Sequence, residues 1–289
     1  MRCSQKIAAT RAGRAAIAES MLRVLFLLLI FPIQLSAQDS QTSRLLELMR
    51  FEALASVIHQ EGMVNNASLL EDFGFPAGGA AWQTKLENTF DPEHIQASME
   101  AGFLDAFNLR SIDDILVFLA SDEWIKVFDL QNAASIAMLD PEVENASFDT
   151  YWSHVESQSH RLSLIEELVD DSDLITLYVA AAMNGILSFN DGISSISPEI
   201  AYPEDEMLAL AYEEKDALEL EILEWVFAYF LLTYDPVETS VLEDQIEFWK
   251  SRSGKDLSNA MMNAYDAAHK EIAFKLGKAF AETLSEPTL

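Results

Sequence analysis

The residues able to do chemistry are few in kind. The chain has one cysteine, Cys3, and five histidines: His59, His94, His154, His160 and His269. No two histidines have the spacing of HExxH. His154 and His160 lie six residues apart, which puts them on different helix faces. Acids are dense at "VDDSD" (Val169–Asp173) and "PEDE" (Pro203–Glu206), but neither stretch has the ligand spacing of an EF-hand loop. Ser253-Gly254-Lys255 ends like a phosphate-binding loop. However, Trp249 stands where that motif needs its first glycine, and no strand precedes it. No G-x-S-x-G is present. Glutamate-rich helices could supply a carboxylate pair for glycan cleavage, but acid pairs are too common here to point anywhere. Five tryptophans could make a sugar platform; Trp82 and Trp225 read as core, and Trp124, Trp152 and Trp249 stay open. On the sequence, no residue is assigned a catalytic, cofactor-binding or metal-ligating role.

A second pattern is more informative. "NTFDPEH" (Asn88–His94) and "LTYDPVE" (Leu232–Glu238) nearly repeat each other. Asp91-Pro92-Glu93 offers a capping carboxylate, a proline preset for a first helical turn, and an acid near the positive helix end. Asp140-Pro141-Glu142 offers the same, and so does Asp235-Pro236 with Glu238. Pro198-Glu199 and Pro203-Glu204-Asp205 are weaker forms, and Ser111 with Asp114 fits a capping box. The repeated motif therefore reads as punctuation: an aromatic anchor (Phe90, Tyr234), a turn, and a new helix.

The likeness extends further. Asp114, Phe118 and Ser121 match Asp244, Phe248 and Ser251 at a constant offset of 130 positions. Trp82 precedes Phe90 by eight residues and Trp225 precedes Tyr234 by nine. Two diverged copies of one helical unit are expected, with boundaries 38–160 and 161–289, either separate or continuous as one domain. The expected class is all-α, a helical bundle. Apolar residues recur at three/four spacing and period-2 alternation is missing. Leu45, Leu48, Met49, Phe51, Ala55 and Ile58 form one such stripe, with Gly62 as its stop. "ILEWVFAYFLLTY" (Ile222–Tyr234) is apolar nearly all round and too short to span a bilayer, so it predicts a central buried helix. The last helix carries Leu257, Met261, Ala264, Tyr265, Ala268, Ile272, Leu276, Ala279 and Phe280 at helical spacing.

The first 37 residues read as an export signal. A basic region leads into "VLFLLLIFP" (Val24–Pro32) and a small-residue cleavage site at Ala37, with Met21 as a possible true start. Export to the periplasm of a Gram-negative bacterium follows as an expectation, with a cysteine-free mature chain and no stable membrane span after cleavage. The 289-residue chain has a formal net charge of −30; loss of residues 1–37 makes it −34. Such a surface excludes nucleic acid and anionic lipid as partners and suits a cationic one. Twelve acids and no Lys or Arg lie between Arg161 and Lys215.

"EFWKSRSGKDL" (Glu247–Leu257) resembles the F-[YF]-x-S-P-x-G-K stretch of an exported proteobacterial helical family known as domain of unknown function 2059. The likeness is best over roughly 218–284. Arg252 stands where that family usually has proline. The resemblance implies an all-helical periplasmic protein and supplies no catalytic residues. Three functions are consistent with these readings. The first is a non-catalytic envelope protein that binds a protein or peptide, cationic by preference, in a groove between the halves. The second is a cell-wall or glycan hydrolase, which requires a cleft with two carboxylates about 5–10 Å apart. The third is a small-molecule or lipid carrier, which requires an apolar cavity of a few hundred Å³.

Overall fold

A computed structural model describes residues 31–107, 112–213 and 215–285. Residues 1–30 of the expected signal, Cys3 among them, and Ser111 of the expected capping box lie outside the described residues. Helices are the regular elements of everything described, and no strand occurs there, so the chain is an all-α bundle. The helices are α1 (Phe31–Met49), α2 (Phe51–Asn65), α3 (Leu69–Asp72), α4 (Gly79–Thr89) and α5 (Pro92–Ala106). After these come α6 (Ile112–Leu119), α7 (Asp122–Ala137), α8 (Pro141–Ser157), α9 (His160–Asp171) and α10 (Leu174–Ile196). The last are α11 (Glu204–Glu213), α12 (Lys215–Tyr234), α13 (Thr239–Lys250) and α14 (Arg252–Ser285).

The chain divides into two compact units, Met1–Glu47 and Leu48–Leu289. In the first, Arg44 pairs with Glu47 at 2.7 Å. All that follows concerns the second. The expected boundary at 160/161 falls inside it, beside the Ser159 cap of α9, whose hydroxyl accepts from the Leu162 amide.

Six helices of this unit close a ring. α2 packs on α7, α7 on α12, α12 on α10, α10 on α14, α14 on α5, and α5 returns to α2. Outside the ring, α8 and α9 pack against α12, and α13 packs on α9 and α14, around Tyr151, Ile165, Leu168, Phe227, Leu231 and Leu242, all buried. α12 therefore has apolar neighbours on both sides, which is why its sequence shows no polar face. Phe227 and Leu231 serve the outer core, while Ile222, Trp225 and Tyr229 face the middle of the ring. No single helix among the described residues is long and apolar enough to cross a membrane.

α10 and α14 make the closest approach in the ring. A Cβ on Gly192 would stand 2.1 Å from the Phe274 carbonyl oxygen, and one on Gly277 would stand 2.0 Å from that of Phe189. Only two glycines permit that crossing. Buried Ala260, Ala264 and Ala268 form a second small-residue face of α14, on which Gly102 of α5 rests against Ala264. Asn184 adds a hydrogen bond to Asp266 at 3.0 Å between α10 and α14.

The Asp-Pro punctuation divides. Asp91 caps α5, accepting from the His94 amide at 3.0 Å, and Asp140 caps α8, accepting from the Glu142 amide at 2.9 Å. Asp235 does not cap. It and Pro236 lie in a turn, and α13 begins only at Thr239. The reason is Val237, which is drawn into the core. Arg161 then donates to the carbonyls of Tyr234 and Val237 at 3.2 and 3.0 Å and holds the turn open. Pro198-Glu199 likewise forms a turn, not a helix start. The expected stripe from Leu45 to Gly62 is broken at Arg50, which is left-handed (φ 52°). Its guanidinium is held by Asp129 at 2.7 Å and lies 4.5 Å over the Phe128 ring. Those contacts offset a backbone cost of about 1–2 kcal/mol. Gly62 is no stop: α2 runs through it to Asn65, and the Phe90 ring sits where its side chain would be.

Of the residues that match at offset 130, one pair meets directly. Phe118 and Phe248 stack with centroids 3.5 Å apart and planes 2° from parallel, beside Trp124 and Trp249. Ser121 caps α7 through the Trp124 amide, and Ser251 caps α14 through the Gly254 amide. A Cβ on Gly254 would stand 2.1 Å from the Phe248 carbonyl oxygen. The F-x-x-S-x-x-G stretch is thus a tight helix-to-helix corner, with serine as cap and glycine as the point of contact. Asp114 accepts from Ser253 at this corner, while Asp244 is exposed.

Candidate functional site

The ring surrounds a partly open cavity of about 540 Å³. Each wall comes from a different helix. α2 supplies Leu54, Ile58 and Glu61; α7 supplies Gln131 and Ser135; α10 supplies Tyr178, Ala182 and Gly185. α12 supplies Trp225 and Tyr229, and α14 supplies Met262, Tyr265 and His269. Helical periodicity aligns these groups: 178, 181, 182 and 185 fall on one stripe of α10, as do 262, 265, 269 and 276 on α14.

Two features fix the wall geometrically. Trp225 and Tyr229 stack one turn apart, with centroids at 5.1 Å and planes 9° from parallel, and Tyr229 donates to the Gln131 carbonyl at 3.1 Å. Tyr265 and His269 are similarly related, with centroids at 6.1 Å. Phe90 closes one side. His59 holds it there by donating from Nδ1 to the Phe90 carbonyl at 2.7 Å.

The cavity is partly open, yet its ionisable groups sit in largely buried surroundings. Tyr178 is 40% accessible, yet its phenol responds as a buried group does. Tyr178 borders the cavity, and neighbouring helices desolvate its phenol. Burial holds the Tyr178, Tyr229 and Tyr265 phenols protonated well past their ordinary range. Burial also pushes the Glu61 carboxyl up, and the Ser135 side chain beside it pulls weakly the other way. It pushes the His269 imidazole down, against a smaller opposing effect of Asp266. The phenol oxygens of Tyr178 and Tyr265 take no hydrogen bond from the described residues. Glu61 is the one carboxylate among the described lining residues, and none of these is Lys or Arg.

Of the residues singled out in the sequence, Phe90 and Trp225 belong to this wall. Trp82 does not: it is 3% exposed, with its indole N–H donating to the Asn66 carbonyl at 3.0 Å. The expected equivalence of Trp82 and Trp225 as core residues therefore fails, because one faces packed side chains and the other an open space. Tyr234 is fully buried on the opposite face of α12 from the cavity. Asp91, Pro92, Asp114, Phe118, Ser121, Asp235, Pro236, Asp244, Phe248, Ser251 and Gly254 all lie outside it. The sequence pointed to none of Glu61, Tyr178 and Tyr229, and named His269 only as one of five histidines and Tyr265 only as part of a core stripe. A clue existed in Tyr265 and His269, one turn apart on a stripe that otherwise reads as core.

Comparison with family models, with curated proteins and with solved structures gives no match.

Proposed function

We propose that the protein is a non-catalytic binding protein that encloses one small, largely apolar molecule within its helical ring. The observation that carries this reading is the cavity. Its 540 Å³ lies within the range of small-molecule sites, and it is lined mainly by apolar and aromatic side chains with a few polar groups. A protein segment would need a longer groove. The hydrolase reading asks for two carboxylates facing one space, and the described lining offers Glu61 without a second. Between the expected binding readings, a cavity ringed by five helices favours a carrier or receptor of small molecules over a peptide-docking groove. Export to the periplasm remains part of the proposal, on the strength of the signal-like first 37 residues. So does kinship with domain of unknown function 2059, whose shared stretch has an architectural role at the Ser251–Gly254 corner.

The test is titration of the purified protein with N-phenyl-1-naphthylamine, a neutral dye that brightens in apolar surroundings. Saturable one-to-one binding that quenches tryptophan fluorescence, with the quench reduced in Trp225→Phe, is expected. No saturable binding, or binding untouched by a variant that fills the cavity, overturns the reading.

A further inference from the structure

We propose that the natural occupant is a small organic monocation, an ammonium group on an apolar body, held by Glu61 among the rings of Tyr178, Tyr229, Tyr265 and Trp225. This rests on the cavity being a ligand site and adds the ligand's charge.

Charge balance is the first argument. Glu61 on α2 is the group in the described wall that can carry a negative charge at neutral pH. The groups facing it are Ser135 on α7, Tyr178 on α10, Tyr229 on α12, and Tyr265 and His269 on α14. The phenols stay neutral, and burial keeps the imidazole neutral as well. An anionic ligand would meet a carboxylate and no cation. A neutral ligand would leave the Glu61 charge with the Ser135 hydroxyl alone beside it in a partly desolvated space, which is costly. A cation removes both penalties.

The rings are the second argument. Four aromatic side chains on three helices, with Phe90 beside them, surround one space. Aromatic faces carry partial negative charge and attract an ammonium group within about 6 Å, most strongly where water is excluded. The pairing of one carboxylate with several rings suits an amine better than it suits a hydrocarbon, which has no use for the carboxylate. The unpartnered phenol oxygens of Tyr178 and Tyr265 can accept its N–H groups. A third argument acts at long range: with a net charge of −30, the whole molecule concentrates cations at its surface.

The experiment uses three soluble ligands with one phenylalkyl body and three charges: 2-phenylethylamine, 2-phenylethanol and 3-phenylpropionate. Each is titrated calorimetrically into wild type and Glu61→Gln, in salt of about 0.15 M to screen surface charge. The naphthylamine dye serves as the reference for cavity binding, and a melting curve checks folding of the variant. The amine should bind tightest. Glu61→Gln should weaken it roughly 30-fold or more while changing phenylethanol by less than about threefold. An amine that binds no better than the alcohol, or that ignores Glu61→Gln while the dye still binds, overturns the cationic assignment and leaves the cavity reading standing. If neither the dye nor any of the three binds, both fall.

Discussion

Gly185 gives the sharpest test of the cavity. It lies inside α10, and a Cβ built on it meets nothing within 4 Å. A larger side chain there enters the cavity without displacing a neighbour. Two contributions favour Gly185→Leu. Glycine in a helix interior is less favourable than leucine by nearly 1 kcal/mol. The leucine side chain also gains part of the roughly 1.5–3 kcal/mol that full burial would bring, reduced because the cavity is partly open. A net stabilisation of about 1–2 kcal/mol is expected, a rise in Tm of roughly 3–6 °C for a chain of this size. Naphthylamine binding should fall at least tenfold, by about 1.4 kcal/mol or more. The assays are differential scanning calorimetry and dye titration on the same preparations. Stabilisation combined with loss of binding is a pairing that damage to the fold cannot produce. A variant that is destabilised, or that binds dye as wild type does, would refute the reasoning, since the space at Gly185 would then be filled or irrelevant.

Other expectations follow from the same geometry. Asp140→Ala should cost about 1 kcal/mol in chemical denaturation, as a lost cap does, whereas Asp235→Ala should stay within about 0.5 kcal/mol because it caps nothing. Gly254→Ala should cost about 2 kcal/mol or more, since its Cβ would be driven into the Phe248 carbonyl and backbone cannot step aside cheaply. Glu61→Gln should raise Tm at pH 7 and not near pH 4. Below its ordinary value of 4.5 the carboxyl is neutral in folded and unfolded chains alike, so it contributes nothing there. As pH rises past that value the unfolded chain ionises first, and the folded state carries the full penalty once pH exceeds the raised value. Melting curves across pH 4–8 would decide it; a benefit confined to acid pH would reverse the sign.

Much of the architecture was legible in the sequence. Helical spacing announced the class, and the all-round apolar character of Ile222–Tyr234 announced a helix with neighbours on both sides. Asp91 and Asp140 were readable as caps because the interaction is local, within three residues. Asp235 looked identical, but its fate was decided by Arg161, more than 70 positions away, and by the pull of Val237 into the core. The break at Arg50 was hidden for the same reason: Asp129 and Phe128 stabilise it from another helix. The cavity was less legible still. Glu61, Tyr178, Tyr229, Tyr265 and His269 sit on four helices, and each obeys the stripe expected of a packed core. Whether a stripe faces side chains or empty space depends on how wide the ring closes. Periodicity within one helix does not carry that information.

The Gly192–Gly277 crossing has a mechanical consequence. Backbone rests on backbone there, so the two helices can pivot about the contact but cannot slide through it. The crossing lies near the C-terminal end of α10, beyond the cavity-lining residues 178–185. α10 is thus a lever with its fulcrum at one end. Leu174 stands 18 residues from Gly192 on a straight helix, about 27 Å at a rise of 1.5 Å per residue. A swing of about 5° would carry that end by roughly 2.4 Å while moving Gly192 hardly at all. The far end joins α9 at Asp173, whose backbone is left-handed (φ 50°). Leu174 and Ile175 pack against the outer core at that end, so a swing of α10 must carry its neighbours in that core with it.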